Sequence, residues 1–152
     1  MALVQSVLMY YIPIWGGAVK THFLMVKRVQ CALIKVIHFK NRRYPTESLY
    51  QISNVLSVRK LCILQTVLKM HKSLPYDSRL QSKRKKDIIA LIPQTKSVFA
   101  SRQFNKRSAY LYNLINNIYR YTKTYYESKK NIINWLKSLT YDDTEALLEY
   151  IQ

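Results

Sequence analysis

Few side chains in this sequence stand at spacings that would support covalent chemistry. Cys31 and His38 are seven positions apart, and Cys62 and His71 nine. Zinc centres are built on close Cys-x2-4-Cys pairs, so buried thiols and surface imidazoles are expected here, and no metal. A nucleophilic Ser or Cys needs a base and an orienting acid. Only Glu47, Asp77 and Asp87 precede residue 127 as acids. The two glycines, Gly16 and Gly17, are adjacent. They cannot build a phosphate loop, a dinucleotide fingerprint or a nucleophile elbow, so no cofactor is expected. Tyr141-Asp142-Asp143 invites comparison with a polymerase site. Such a site needs Tyr-x-Asp-Asp on a β-hairpin and a further Asp on a neighbouring strand to hold two Mg2+. Here no strand-like run flanks the segment, and Asp at a helix start is ordinarily a cap.

The chemistry that remains is recognition. The chain of 152 residues carries 25 Lys+Arg against 8 Asp+Glu, a formal charge of +17. Asp142, Asp143, Glu145 and Glu149 cluster at the end, so the body is more basic than the total and the tail is acidic. Nucleic acid or an anionic membrane is the partner class such a charge implies. Lys and Arg neutralise phosphates, and exposed Tyr stacks on unpaired bases. Six tyrosines fall at 110, 112, 119, 121, 125 and 126, and packing in a core and its rim is the plainer use for most of them. The candidate nucleic-acid-binding residues are Lys27, Arg28, Lys35, Lys40, Arg42, Arg43, Lys83, Arg84, Lys85, Lys86, Arg102, Lys106 and Arg107. For any one helix a solvated basic face is the bland alternative. The run Lys83–Lys86 also suits a nuclear import signal or a solvated loop.

The elements that must position these cations read as helices. With 49% apolar residues a core is available, and few Gly and Pro argue against a turn-rich all-β fold. Two Cys do not make a stapled secreted domain. Residues 1–19 carry no charge. Pro13 and Gly16-Gly17 interrupt them, which suits a core helix from Leu3 to Tyr11 and a turn packing Trp15 better than a membrane span. A secretory signal's basic leader is missing. Val19, Phe23, Val26, Val29 (with Ile34 beyond it), Leu33, Val36 and Ile37 give a helix over 19–39, with Lys20, Lys27, Arg28 and Lys35 largely on its other side. Thr46 is the expected cap of the next helix, with Glu47 in its first turn. Ser57 should cap another from Val58 to His71, with Arg59, Lys60, Lys69 and Lys72 outside. Residues 73–107 read as a basic connector holding a short element at Asp87–Ile92. Residues 108–139 return to helix, with one stripe of Tyr110, Leu111, Leu114, Ile115, Ile118 and Tyr119. A second stripe is Tyr126, Ile132, Ile133, Trp135, Leu136 and Leu139. Thr140 or Asp142 should cap the last helix. The expectation is all-α, six or seven helices, in two loosely joined parts at 1–72 and 108–152.

Gln5-Ser6-Val7-Leu8-Met9-Tyr10-Tyr11-Ile12-Pro13-Ile14-Trp15-Gly16-Gly17 resembles the S-x-L-x-Y-G-x-x-x-W-G segment downstream of the polymerase palm in insect non-LTR (LINE-like, jockey-type) retrotransposon reverse transcriptases. The basic core Arg28, Gln30, Ile34, Lys35, and then Arg42-Arg43-Tyr44-Pro45-Thr46, resemble the next segment of that family. So do Tyr110-Leu111-Tyr112-Asn113, Trp135-Leu136, Leu139 and Thr144-Glu145-x-Leu147-Leu148 resemble its C-terminal pattern. Tyr11 departs from the family's usual Gly. The resemblance covers nearly the whole chain. It implies the thumb and post-thumb part of such a polymerase, with the catalytic palm upstream and absent, so it carries no activity of its own. What it implies instead is the grip of a template–primer through its RNA or DNA backbone, with the missing palm as a further partner and no small-molecule substrate. Met1 would then fall inside a helix of a truncated reading frame. A nuclear or cytoplasmic, non-secreted protein is expected. The other readings are a small membrane-anchored protein using residues 1–19, with membrane contact disfavoured, and a structural or interaction module.

Overall fold

A computed structural model of the chain describes residues 5–10, 20–74, 90, 92–94, 104–115, 118 and 124–149. Regular structure among these residues is helical throughout, without a strand. Residues 5–10 belong to α1, followed by α2 (Lys20–Ile37), α3 (Thr46–Ser53), α4 (Val58–Ser73), α5 (Phe104–Leu114), α6 (Tyr125–Ser138) and α7 (Tyr141–Glu149). The all-α class with six or seven helices is therefore the observed one. The turn with Trp15, the Asp87–Ile92 element apart from Ala90 and Ile92, and most of the 73–107 connector lie outside the described residues. The chain forms two compact units, Met1–Cys62 and Ile63–Gln152, whose border falls inside α4.

In the first unit the buried apolar side chains are Phe23, Ile34, Leu49, Leu56, Val58, Leu61 and Cys62. Fully burying an aliphatic or aromatic side chain of this kind contributes ~1.5–3 kcal/mol. Helices α2 and α3 pack together, but α2 does not bury the stripe its apolar spacing suggests. Its buried positions are Phe23, Gln30 and Ile34, while Met25, Val29, Leu33, Val36 and Ile37 are exposed. The cause is Gln30, only 2% exposed. Its Nε2 donates to the Leu56 carbonyl (2.9 Å), and its Oε1 accepts from Val58 N–H (3.0 Å) and the Tyr50 hydroxyl (2.8 Å). Two of these partners are backbone groups of the α3–α4 joint that would otherwise be buried without partners. Satisfying them turns the helix so that an amide, rather than Val29 or Leu33, faces inward.

The joints follow local rules with one correction. Thr46 is not a cap: Pro45 occupies that position, without a side-chain hydrogen bond, and its carbonyl accepts from Leu49 N–H (3.2 Å). Ser57 does precede α4, its carbonyl accepting from Leu61 N–H (2.9 Å) and its hydroxyl from Lys60 N–H (3.5 Å). Arg59, expected outside, is 5% exposed.

In the second unit α4 buries Ile63, Leu64, Thr66, Val67, Leu68 and His71. Helix α5 buries Ser108, Ala109, Leu111 and Tyr112, with Ile115 just beyond its end, and exposes Leu114, so its inner face is set by Tyr112 rather than by Tyr110 and Leu114. Ile132 and Leu136 of α6 are buried as expected, whereas Tyr126 is exposed. Thr124 starts α6 with a reciprocal cap: Glu127 N–H donates to Thr124 Oγ1 (3.2 Å) and Thr124 N–H to Glu127 Oε2 (3.4 Å). Thr140 does the same for α7 with Asp143, so Thr140 rather than Asp142 is the cap. The Thr140 hydroxyl and N–H bonds hold the Asp143 carboxyl below the usual carboxylate range.

Candidate nucleic-acid interface

The cations that the structure gathers lie in the first unit, where α2 ends: Arg42 and Arg43 are exposed, Lys35 and Lys40 half-buried. Past Ile37 the chain folds back on its own helix. Phe39 N–H donates to the Val36 carbonyl (3.2 Å), and Lys40 N–H donates to the Lys35 carbonyl (2.8 Å). This is the paired closure of a left-handed helix end, a position usually held by Gly. Phe39 occupies it, with φ 50°. A bulky side chain in that conformation costs of order 1–3 kcal/mol. Asn41 then closes a turn, its carbonyl accepting from Tyr44 N–H (3.0 Å) and its Oδ1 from Arg43 N–H (3.3 Å).

This turn places Lys35, Lys40, Arg42 and Arg43 at one helix end. Lys35 Nζ donates to the Arg42 carbonyl (2.6 Å), tying the turn to the helix. Lys40 Nζ sits 5.2 Å from the centre of the Tyr44 ring, within cation–π range. Arg42 and Arg43 are exposed. Cations also suit the negative end of the α2 macrodipole, which accounts for some of the cluster without any ligand. Arg28 is exposed on α2, and Lys27 is half-buried. Between Lys35 and Lys40 in the chain stands Phe39, 97% exposed.

The other predicted cations are placed differently. Lys83, Arg84, Lys85, Lys86 and Arg102 lie outside the described residues. Lys106 and Arg107 belong to the second unit. Lys106 is half-buried, and Arg107 is 4% exposed, so its guanidinium is an interior group rather than a phosphate contact.

The second unit holds the only arrangement among the described residues that resembles a nucleophile and its base. His71, expected at the surface, is 3% exposed. Its Nδ1 lies 2.7 Å from the Tyr112 hydroxyl, and its Nε2 lies 3.2 Å from Ser128 Oγ. Ser128 also donates to the Thr124 carbonyl (3.1 Å). The consistent proton arrangement has His71 Nε2–H donating to Ser128 and the Tyr112 hydroxyl donating to Nδ1. Ser128 is fully buried, and a phenol stands where an orienting carboxylate would be needed. The chain Tyr112–His71–Ser128 therefore works as a polar cross-link of α4, α5 and α6. Asn113 does similar work, receiving Ala90 N–H (2.9 Å) and donating to the Ala90 carbonyl (2.8 Å).

No group of three or more His, Cys, Asp or Glu capable of holding a metal occurs among the described residues. No helix among them is long and apolar enough to cross a membrane. Sequence reasoning missed Phe39. The signal available was a helix end without a Gly, with an aromatic between His38 and Lys40. No family model, curated protein or solved structure matches the chain.

Proposed function

We propose that this chain binds nucleic acid without catalysing a reaction, as a thumb-side, C-terminal relative of an insect non-LTR retrotransposon reverse transcriptase. The observation that carries the reading is the cluster of Lys35, Lys40, Arg42 and Arg43 at the folded-back end of α2, in a chain of net charge +17. Ammonium and guanidinium groups at a helix end meet phosphates as backbone contacts, which position a strand without reading its bases. The order of the motifs from Gln5 to Leu148 supports the polymerase family, and a template–primer is the ligand it suggests. Filter binding of labelled RNA and DNA at low salt tests the activity. Retention that falls steeply with salt is expected, and no retention overturns it. The DNA upstream of Met1 tests the origin: a Tyr-x-Asp-Asp reading frame, intact or decayed, is expected there, and its absence counts against descent from a polymerase.

The exposed row Met25, Val29 and Val36 on α2 favours a second reading, a helical interaction module whose apolar face meets another protein. Binding to a protein partner that does not weaken with salt would support that reading over the first.

A further inference from the structure

We infer that Phe39 is a stacking platform for an unpaired base, so that the ligand of the α2 end is single-stranded nucleic acid rather than duplex. The inference rests on the nucleic-acid reading and names the strand form that site takes. Two costs converge on this residue. Its backbone is left-handed, at φ 50°, where a Gly would carry no penalty. Its ring is 97% exposed, so no packing in the fold compensates either the backbone or the apolar exposure. The left-handed backbone closes the end of α2, a task Gly would perform without the penalty, so it is the exposed ring that has no structural return and points to a role outside the fold.

The surroundings select the occupant. Lys40, Arg42 and Arg43 follow within four residues, and the Lys35–Arg42 bond holds the turn in place. An exposed apolar ring followed in the chain by cations matches a base joined to phosphates: the ring takes the π-face and the cations take the backbone. The same cations oppose a second copy of this chain by like-charge repulsion. Bases inside a duplex are already stacked on one another and do not present a free face to a ring on a helix end.

The test uses the full chain and fluorescence anisotropy with labelled oligo(dT) and oligo(rU), a blunt duplex of equal length, and vesicles of phosphatidylcholine with phosphatidylserine. The variants are Phe39→Gly, which suits the left-handed backbone and so preserves the fold, and Phe39→Trp, which keeps a stacking ring. Phe39→Gly should weaken single-strand binding by roughly tenfold, the loss of one stacked base, with its salt slope unchanged and duplex binding within about twofold. Phe39→Trp should bind like the parent, and its added fluorescence, read against the parent's Trp15 and Trp135, should quench on adding oligomer. Equal single-strand affinity in Phe39→Gly and the parent overturns the stacking role and leaves the nucleic-acid reading standing. Vesicle binding lost in Phe39→Gly with oligomer binding intact also overturns it, in favour of a lipid surface. A parent that binds no oligomer at low salt overturns the nucleic-acid reading itself.

Discussion

Replacing Gln30 by Met keeps the length of the side chain and removes every hydrogen bond it makes. The amide of Gln30 serves the Leu56 carbonyl, the Val58 N–H and the Tyr50 hydroxyl at 2.9, 3.0 and 2.8 Å. Val58 is fully buried, so its N–H has no water to turn to. Tyr50 keeps a second contact, Cys31 Sγ at 3.3 Å, and loses less. A buried donor or acceptor left without a partner costs ~1–3 kcal/mol. Two orphaned backbone groups therefore cost about 2–6 kcal/mol, reduced by about 1 kcal/mol for the apolar surface Met would bury. A net loss of roughly 3 kcal/mol is a large share of a domain's ~5–15 kcal/mol. Urea unfolding followed by far-UV circular dichroism reads this as a lowered midpoint at unchanged slope. Val36→Gln is the control: Val36 is 72% exposed, so that change should stay within ~0.5 kcal/mol. A Gln30→Met variant within about 1 kcal/mol of the parent, or a Val36→Gln variant that costs more than it, would refute the argument that an amide sets the buried face of α2.

Thr66→Val should stabilise the protein by roughly 1 kcal/mol, because the buried Thr66 hydroxyl has no hydrogen-bond partner; a lowered urea midpoint would contradict this. Thr124→Ala should cost about 1 kcal/mol by removing one half of the α6 capping box, read as a lower melting temperature. Burial, and then the Cys31 thiol beside it, push the Tyr50 phenol well above its ordinary value of 10.0. The folded state thus keeps a proton that the unfolded chain releases above that value. The contribution is intact below it and should decline as pH rises further; urea midpoints from neutral pH to about pH 11 should fall less steeply in Tyr50→Phe.

The existence of the helices was legible because apolar residues recur every three or four positions within the stretches on either side of the 73–107 connector, and Ser57 and Thr140 mark starts by their side-chain chemistry. Their inner faces were less legible. Gln30 is inside because of backbone groups of residues 56 and 58, and Tyr112 is inside because His71, on another helix, meets its hydroxyl. Both partners are distant in sequence, and apolar periodicity carries no trace of them. The Thr124-x-x-Glu127 capping box is a local signal, but the apolar spacing over 108–139 marks no helix start there. At the candidate site, the cations from Lys35 to Arg43 could be found by composition. Their convergence could not, because it depends on a left-handed turn at a Phe, where the sequence offers no Gly to announce it.

The central claim is that the end of α2 neutralises phosphates, and the salt dependence of oligonucleotide binding tests it most directly. On single strands each neutralised phosphate contributes about −0.7 to the slope of log K against log salt. Exchanging Arg42 and Arg43 for Ala removes two exposed cations, so the double variant should bind more weakly with a slope shallower by about 1.4. An unchanged slope in the double variant, or a parent with no affinity at low salt, would contradict the account.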